Sequence, residues 1–187
     1  MNKNNTKGVI TLEACVAVLS FLILMLLLSS LFVMFMAQNV TSHTVLQTSQ
    51  SLSMDVYSTE RLSVDSGTVG SVGDYLGQFV TSLFGSSDEN PAFVTDDKWY
   101  DGDEEKIAQT VKTRFVGYLT GGNESKADEF LERMNIVDGL DGLDFTDSYV
   151  DNDTLYIVLK YNLEYDFNIW NVGTVEVEQT TCSKLWK

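Results

Sequence analysis

The sequence has little of several residue types, and each shortage excludes a class of protein. Its 187 residues include two cysteines, one proline and one histidine. Cys15 and Cys182 lie far apart in the sequence, so they are not expected to form a disulfide framework. A structural zinc site needs about four ligands, more than these two cysteines and one histidine supply. Lysine and arginine total 12 against 27 acidic residues, a formal charge of −15. We expect no nucleic-acid binding, because neutralising phosphates needs clustered cations.

Motifs of common catalytic chemistry are also lacking. The sequence contains neither the Gly-x-Ser-x-Gly of hydrolases nor the Gly-x-x-x-x-Gly-Lys of phosphate-binding loops. His43 has no neighbouring Asp, Glu or Cys to orient it, so we expect it on a helix surface. Acidic pairs such as Asp96 with Asp97 are typical of a solvated face. We therefore predict no enzyme activity, no metal and no cofactor.

Two binding alternatives remain open in the acidic and aromatic segments. The aspartates of residues 96–103 and 138–144 do not match an EF-hand loop, so turn formation is expected, with loose calcium binding as the alternative. The aromatic side chains are expected in the core or in subunit contacts, with a carbohydrate site as the alternative. They are Trp99, Tyr100, Tyr161, Tyr165 and Trp170. An interchain disulfide through Cys182 also remains open.

The sequence does have one membrane-length apolar run. Residues 14–37 are interrupted only by serines, and as a helix rising about 1.5 Å per residue they would be about 36 Å long, enough to cross a hydrocarbon core of about 30 Å. The run is too long for a cleaved signal peptide. Lys3 and Lys7 precede it, which favours a cytoplasmic N-terminus. We therefore predict a single-pass membrane protein whose C-terminal body is extracellular.

Glu13, at the start of this run, is not explained by a plain membrane anchor. A carboxylate costs about 2.5 to 3.5 kcal/mol at the bilayer centre and less near the interface, so it indicates a partner or a function. Alternatively it lies in the headgroup layer, where the helix N-terminus stabilises it by up to about 1 kcal/mol. If the bond after Gly8 were cut, Val9 would begin the mature chain and Glu13 would be its fifth residue.

This arrangement resembles the start of type IV prepilins. The segment Gly8-Val9-Ile10-Thr11-Leu12-Glu13-Ala14-Cys15 is similar to that of TadE-like minor pilins, subunits of the tight-adherence (Tad, Flp) pili of Gram-positive bacteria. The resemblance implies cleavage between Gly8 and Val9 by a prepilin peptidase, usually with methylation of the new amine. It also implies that Glu13 pairs with the N-terminal amine of a neighbouring subunit. The partners implied are membrane lipid, the peptidase, other pilin subunits and the Tad assembly platform.

The C-terminal end carries a second likeness to the same family. The C-terminal part of many TadE-like proteins looks like a hairpin with an aromatic strand, followed by a glutamine and a terminal tryptophan. The stretch from Leu163 to Gln179, followed by Trp186, is similar. These relatives often have a proline early in the membrane helix, and this chain has none there.

The N-terminal third is predicted to be one helix, because no glycine or proline interrupts the chain between Val9 and Ser66, with a break near Gln38 to Thr44 as the alternative. Val45, Leu52 and Val56 mark a narrow apolar stripe on it. A glycine-rich linker follows, in which the apolar spacing over 72–84 predicts a short amphipathic helix. The predicted leader is residues 1–8. The predicted long helix is residues 9–62, with a membrane part over 14–37 and an exposed part over 38–62. A linker over 63–102 and an extracellular body over 103–187 follow.

The body is predicted to be α+β. Apolar residues at helical spacing indicate one helix that ends at Gly121-Gly122 and a second that Asn123 or Ser125 caps. Every odd residue over 155–169 is apolar, the period-two pattern of a half-buried strand.

Turns flank this strand. Asp151-Asn152-Asp153 and Asn171-Val172-Gly173 predict turns that join it to strands near 145–150 and 175–179. The expected fold is a three-stranded antiparallel meander with helices covering one face.

Two functions are compatible with these features. The first is a minor pilin or pseudopilin of a Tad-type pilus, which supports pilus assembly, adhesion or secretion. The second is a signal-anchored extracellular binding module, for protein or carbohydrate, that does not polymerise.

Overall fold

The computed structural model describes residues 3–61, 91–93, 95, 98–165 and 173–186. Within them the chain is an α+β protein with a long N-terminal helix, shorter helices and a three-stranded antiparallel sheet, as predicted. In chain order the elements are α1 Lys3–Arg61, the 3-10 helices Pro91–Phe93 and Trp99–Asp101, α2 Glu104–Thr120, α3 Glu124–Arg133, β1 Tyr149–Asp151, β2 Thr154–Glu164 and β3 Thr174–Lys184. The amphipathic helix predicted over 72–84 lies outside the described residues.

Helix α1 runs for 59 residues without a break, as the absence of glycine and proline after Val9 predicts. Its helical backbone also includes residues 3–8, the predicted leader. Two hydroxyl side chains within it are satisfied locally: Thr41 Oγ1 donates to the Ala37 carbonyl at 2.8 Å and Thr44 Oγ1 to the Val40 carbonyl at 2.8 Å. These bonds keep the polar residues from competing with the helix for its backbone groups.

Along its length, α1 has a free part and a packed part. Over residues 12–29 nearly all side chains are exposed, although most are apolar. From Ser30 onward one stripe is buried, and the predicted stripe residues belong to it. It comprises Ser30, Met34, Ala37, Thr41, Thr44, Val45, Thr48, Ser49, Ser51, Leu52, Ser53 and Val56. The body therefore covers only the C-terminal part of α1.

Strand β2 lies at the centre of the sheet and supplies much of the core. Its inward side chains, Leu155, Ile157, Leu159, Tyr161 and Leu163, are at most 1% exposed. This confirms the period-two prediction as far as Leu163. Tyr165 follows and packs partly buried against the same core, while residues 166–169 lie outside the described residues.

The turn from β1 to β2 is also confirmed. Asn152 and Asp153 have φ of 46° and 60°, and the flanking Asp151 and Thr154 are paired. Two successive positive φ values are what a two-residue type I′ hairpin turn requires, and Asn and Asp tolerate them. Of the second predicted turn, only Gly173 is described, with φ of 80°.

Both outer strands differ in length from the prediction. β1 begins late because the Ser148 side chain takes the ladder position: its Oγ accepts from Val158 N–H at 3.1 Å and donates to Val158 O at 3.3 Å. β3 continues to Lys184, beyond the predicted Gln179. Its polar residues still face α1, where Ser183 Oγ donates to the Ser49 carbonyl at 3.0 Å.

The helices of the body end and begin where the sequence predicts. α2 stops at Gly121, whose φ of 69° is left-handed and whose N–H bonds to Gly117 O at 2.9 Å. α3 is capped by Asn123, whose Oδ1 accepts from Lys126 N–H at 3.0 Å. Its inward side chains Ala127 and Leu131 are fully buried. α2 and α3 thus form the helical side of the core.

The glycine that ends α2 offers a test of how this helix is capped. A Cβ at Gly121 would meet nothing within 4 Å, so Gly121→Ala should act through backbone strain alone, about 1 to 2 kcal/mol. Thermal unfolding of the full chain in detergent should show a fall in Tm, and Gly121→Asn should lose less because asparagine tolerates the left-handed region. Equal losses for the two variants would contradict this account of the cap.

Candidate functional site

The residues of the predicted processing site, Gly8 and Val9, lie in the first turns of α1. Glu13 follows one turn after Val9, about 6 Å along the helix axis. This short separation places the bond that the sequence predicts to be cut and the carboxylate at the same end of the helix. The structure thereby groups the three predicted site residues on one element.

Glu13 is exposed on the surface of α1. Its neighbours Leu12 and Val16 are 69% and 60% exposed, so the carboxylate lies on an apolar helix that the body does not cover. Among the side chains that the structure describes, which on α1 are those of residues 12–57, no cation is within ion-pairing distance of it.

The apolar surface that follows Glu13 is large and surrounds the helix. By length and composition, α1 is able to cross a membrane, and it alone among the described helices meets that criterion. Many large apolar side chains are 43% to 65% exposed after Leu12. They include Val16, Val18, Leu19, Phe21, Leu22, Leu24, Met25, Leu26, Leu28, Leu31, Phe32, Phe35 and Met36. A helix that is apolar all round needs lipid or other helices around it.

A buried ion pair fixes the far part of α1 to the body. Arg114 of α2 is 2% exposed and pairs with Asp55 of α1. Arg114 Nη1 donates to Ser51 Oγ at 2.8 Å, and its Cζ lies 5.4 Å from the centre of the Phe93 ring. Burial raises the pKa of the Asp55 carboxyl, and the Arg114 charge opposes that rise. The contact joins α1, α2 and the first 3-10 helix at one point.

Sequence reasoning missed this pair, although a weak signal for it exists. Arg114 follows Val111 by one helical turn and precedes the buried Phe115, so a cation stands on the apolar face of α2. Its partner could not be found in the same way, because Asp55 is one of 27 acidic residues.

A second polar contact ties the sheet to α1 nearer the membrane segment. The Thr41 hydroxyl and the Tyr161 hydroxyl are 2.9 Å apart. Gln179 Nε2 donates to Tyr161 Oη at 3.1 Å and to the Gln38 carbonyl at 3.2 Å. Burial raises the pKa of the Tyr161 hydroxyl, so it keeps its proton at neutral pH and can serve this bond.

The remaining candidates are placed as follows. His43 is exposed on α1, as predicted. Trp99 and Tyr100 are 2% and 6% exposed, so they belong to the core and present no open aromatic surface. Cys15 and Cys182 are both free and exposed. Trp170 lies outside the described residues.

The acidic loop of the body forms a turn. Asp144 Oδ1 accepts from the backbone N–H and the hydroxyl of Thr146, at 2.9 and 2.6 Å, and these bonds lower the pKa of the Asp144 carboxyl. In the described part of the chain, no group of three or more His, Cys, Asp or Glu residues is arranged to hold a metal ion.

Comparison with known protein families, with curated proteins and with solved structures finds no match. The function therefore has to be argued from α1, from Glu13 and from the contacts that hold the body.

The buried ion pair gives a stability prediction. Asp55→Asn leaves the Arg114 charge buried and unpaired, which should lower the free energy of unfolding by about 3 to 5 kcal/mol. Replacing both residues together, Asp55→Leu with Arg114→Met, should cost much less. Chemical unfolding of the full chain in detergent micelles, followed through the buried Trp99, measures both.

The matched control is the exposed pair of Lys160 with Asp147. Asp147→Asn should cost about 1 kcal/mol or less, because water screens that pair. An Asp55→Asn loss no larger than the Asp147→Asn loss would contradict the assigned role of the buried pair.

Proposed function

We propose that this chain is a minor pilin of a Tad-type pilus, cut after Gly8 and assembled through α1. Its N-terminus lies in the cytoplasm before processing, and its body lies outside the cell. The observation that carries the proposal is Glu13, exposed one turn after Val9 at the end of an apolar helix that the body leaves uncovered.

The free part of α1 supports assembly because its apolar surface needs a cover in every state. In the membrane, lipid covers it. When the subunit leaves the membrane for a filament, only the helices of other subunits can replace the lipid. A carboxylate in such a dry helix bundle requires a paired cation, and the amine of a neighbouring first residue supplies one.

The contacts along the packed part of α1 fix the body to the helix, so that the two move together. The Arg114 to Asp55 pair and the Thr41 to Tyr161 hydrogen bond fix the helix to the body at two levels. A force applied to α1 by an assembly platform is therefore transmitted to the extracellular body. The partners of the proposed function are membrane lipid, a prepilin peptidase, other pilin subunits and the Tad assembly platform.

The first test is the N-terminus of the mature chain. In a bacterium with an active Tad prepilin peptidase, mass spectrometry of the membrane fraction should find a chain that begins at Val9. Gly8→Val should leave the chain uncut, since a larger side chain blocks the position before the cut, while membrane insertion is retained. A wild-type chain that still begins at Met1 in these cells would contradict the proposal.

The second test separates insertion from assembly. Glu13→Gln should leave the amount of membrane protein unchanged but reduce its amount in sheared pili by about tenfold or more, equivalent to losing about 1.4 kcal/mol of subunit contact. The matched control is Glu104→Gln at the exposed start of α2, which should have no effect. Equal incorporation of wild type and Glu13→Gln would contradict the role of Glu13. Wild type found only in the membrane would favour the non-polymerising binding module.

A further inference from the structure

The body lies beside α1 in a way that limits how much of α1 a membrane can surround. β3 runs in the same direction as α1, and two contacts fix their alignment. Gln179 Nε2 is 3.2 Å from the Gln38 carbonyl, and Ser183 Oγ is 3.0 Å from the Ser49 carbonyl. As β3 is followed back from Gln179, it therefore extends beside the apolar run rather than away from it.

The alignment shows how far the hairpin of β2 and β3 reaches. From Gln179 back to Thr174 the strand covers about 16 Å at about 3.3 Å per residue. The same distance corresponds to about 11 residues of α1, so Thr174 is level with about residue 27. Burial agrees with this reach, since Met34 is 7% exposed within the apolar run and belongs to the core against which Val175 and Val177 of the hairpin pack.

This part of the hairpin carries charged side chains and unpaired backbone groups that are incompatible with hydrocarbon. Glu164 is exposed at the end of β2, and Glu176 and Glu178 are exposed on β3. Carboxylates inside a bilayer are strongly unfavourable, and the unpaired backbone groups of a sheet edge are unfavourable there as well. This end of the hairpin, Glu164 with residues 174–178, is called the membrane end of the body.

We propose that the hydrocarbon core ends near Leu27, and that the membrane end of the body rests in the headgroup layer outside it. A core of about 30 Å then extends back about 20 residues, to about residue 8. Glu13 consequently lies inside the hydrocarbon region. Of the apolar residues that follow Leu27, Met34 and Ala37 are buried in the core, whereas Leu31, Phe32, Phe35 and Met36 are exposed toward the headgroup layer.

This depth decides between the two explanations of Glu13. A carboxylate in the headgroup layer would need no partner, whereas one inside the hydrocarbon does. The inference rests on the membrane-anchoring part of the proposed function but needs neither cleavage nor a pilus. The experiment therefore uses the full chain in phosphatidylcholine vesicles, without a peptidase or other pilins.

Single-cysteine variants in a Cys15→Ser and Cys182→Ser background carry a fluorophore on side chains that point away from the body. The two informative positions are Val16→Cys and Phe32→Cys, at residues 60% and 65% exposed. Quenching by a nitroxide in the middle of the lipid acyl chains reports depth, and quenching by iodide reports water. Leu22→Cys serves as the deep control and Met54→Cys as the aqueous control, because both keep those positions wherever the span begins.

The proposed depth predicts that lipid nitroxide quenches the Val16 probe severalfold more than the Phe32 probe, and that iodide shows the reverse order. A span over residues 14–37 places Phe32 deeper than Val16, so a Phe32 probe quenched more by lipid would overturn the inference while leaving the anchor intact. A Leu22 probe that lipid fails to quench would overturn the anchor itself, and the inference with it.

Discussion

Polar contacts cross the seam between α1 and the body, and the position of the sheet and of α2 along α1 depends on them. Thr41 meets Tyr161, Ser49 meets Ser183, and Asp55 meets Arg114. Ser53 also donates to the Lys184 carbonyl at the end of β3. Small hydroxyl side chains let the helix lie close to the sheet, and hydrogen bonds fix the register along the helix as apolar packing alone does not. The sheet is therefore held at one position along the axis of α1.

Because the sheet is fixed at one position along α1, the boundary between the packed part and the free part of α1 is also fixed. The first buried side chains on α1 are Ser30 and Met34, and over residues 12–29 nearly all side chains are exposed. We propose that lipid surrounds this part first and that the helices of other pilins surround it later. Glu13 is exposed next to this uncovered part, and we propose that the amine of a neighbouring subunit compensates its charge in the pilus. The seam and Glu13 are thus connected through the length of one helix.

Features governed by local chemistry could be predicted from the sequence. The alternation over 155–163 has one structural explanation, and Asn152-Asp153, Gly121 and Asn123 each have a preference that decides a turn or a helix end. The C-terminal half of β3 could not be predicted because its half-buried positions are the polar Thr181 and Ser183, which leave no apolar alternation. The late start of β1 depends on one hydroxyl, that of Ser148, which replaces a backbone partner.

Features governed by long-range contact could not be predicted in this way. Hydropathy does not distinguish an apolar residue in lipid from one against protein, so Met34 and Ala37 look like membrane residues until the sheet is placed beside them. The pairing of Asp55 with Arg114 requires two elements 59 residues apart to meet. The candidate site differs from both cases, because Gly8, Val9 and Glu13 lie on consecutive turns and their spacing is visible in the sequence.

The central claim is that Glu13 compensates the N-terminal amine of a neighbouring subunit within an assembled pilus. Carbodiimide treatment of purified pili, followed by mass spectrometry, tests it most directly because the reagent joins only a carboxylate and an amine in contact. The account predicts an amide bond between the Glu13 side chain and the first residue of an adjacent pilin. Pili that contain this chain cut at Val9, in which Glu13 forms no such bond while exposed carboxylates react, would contradict it.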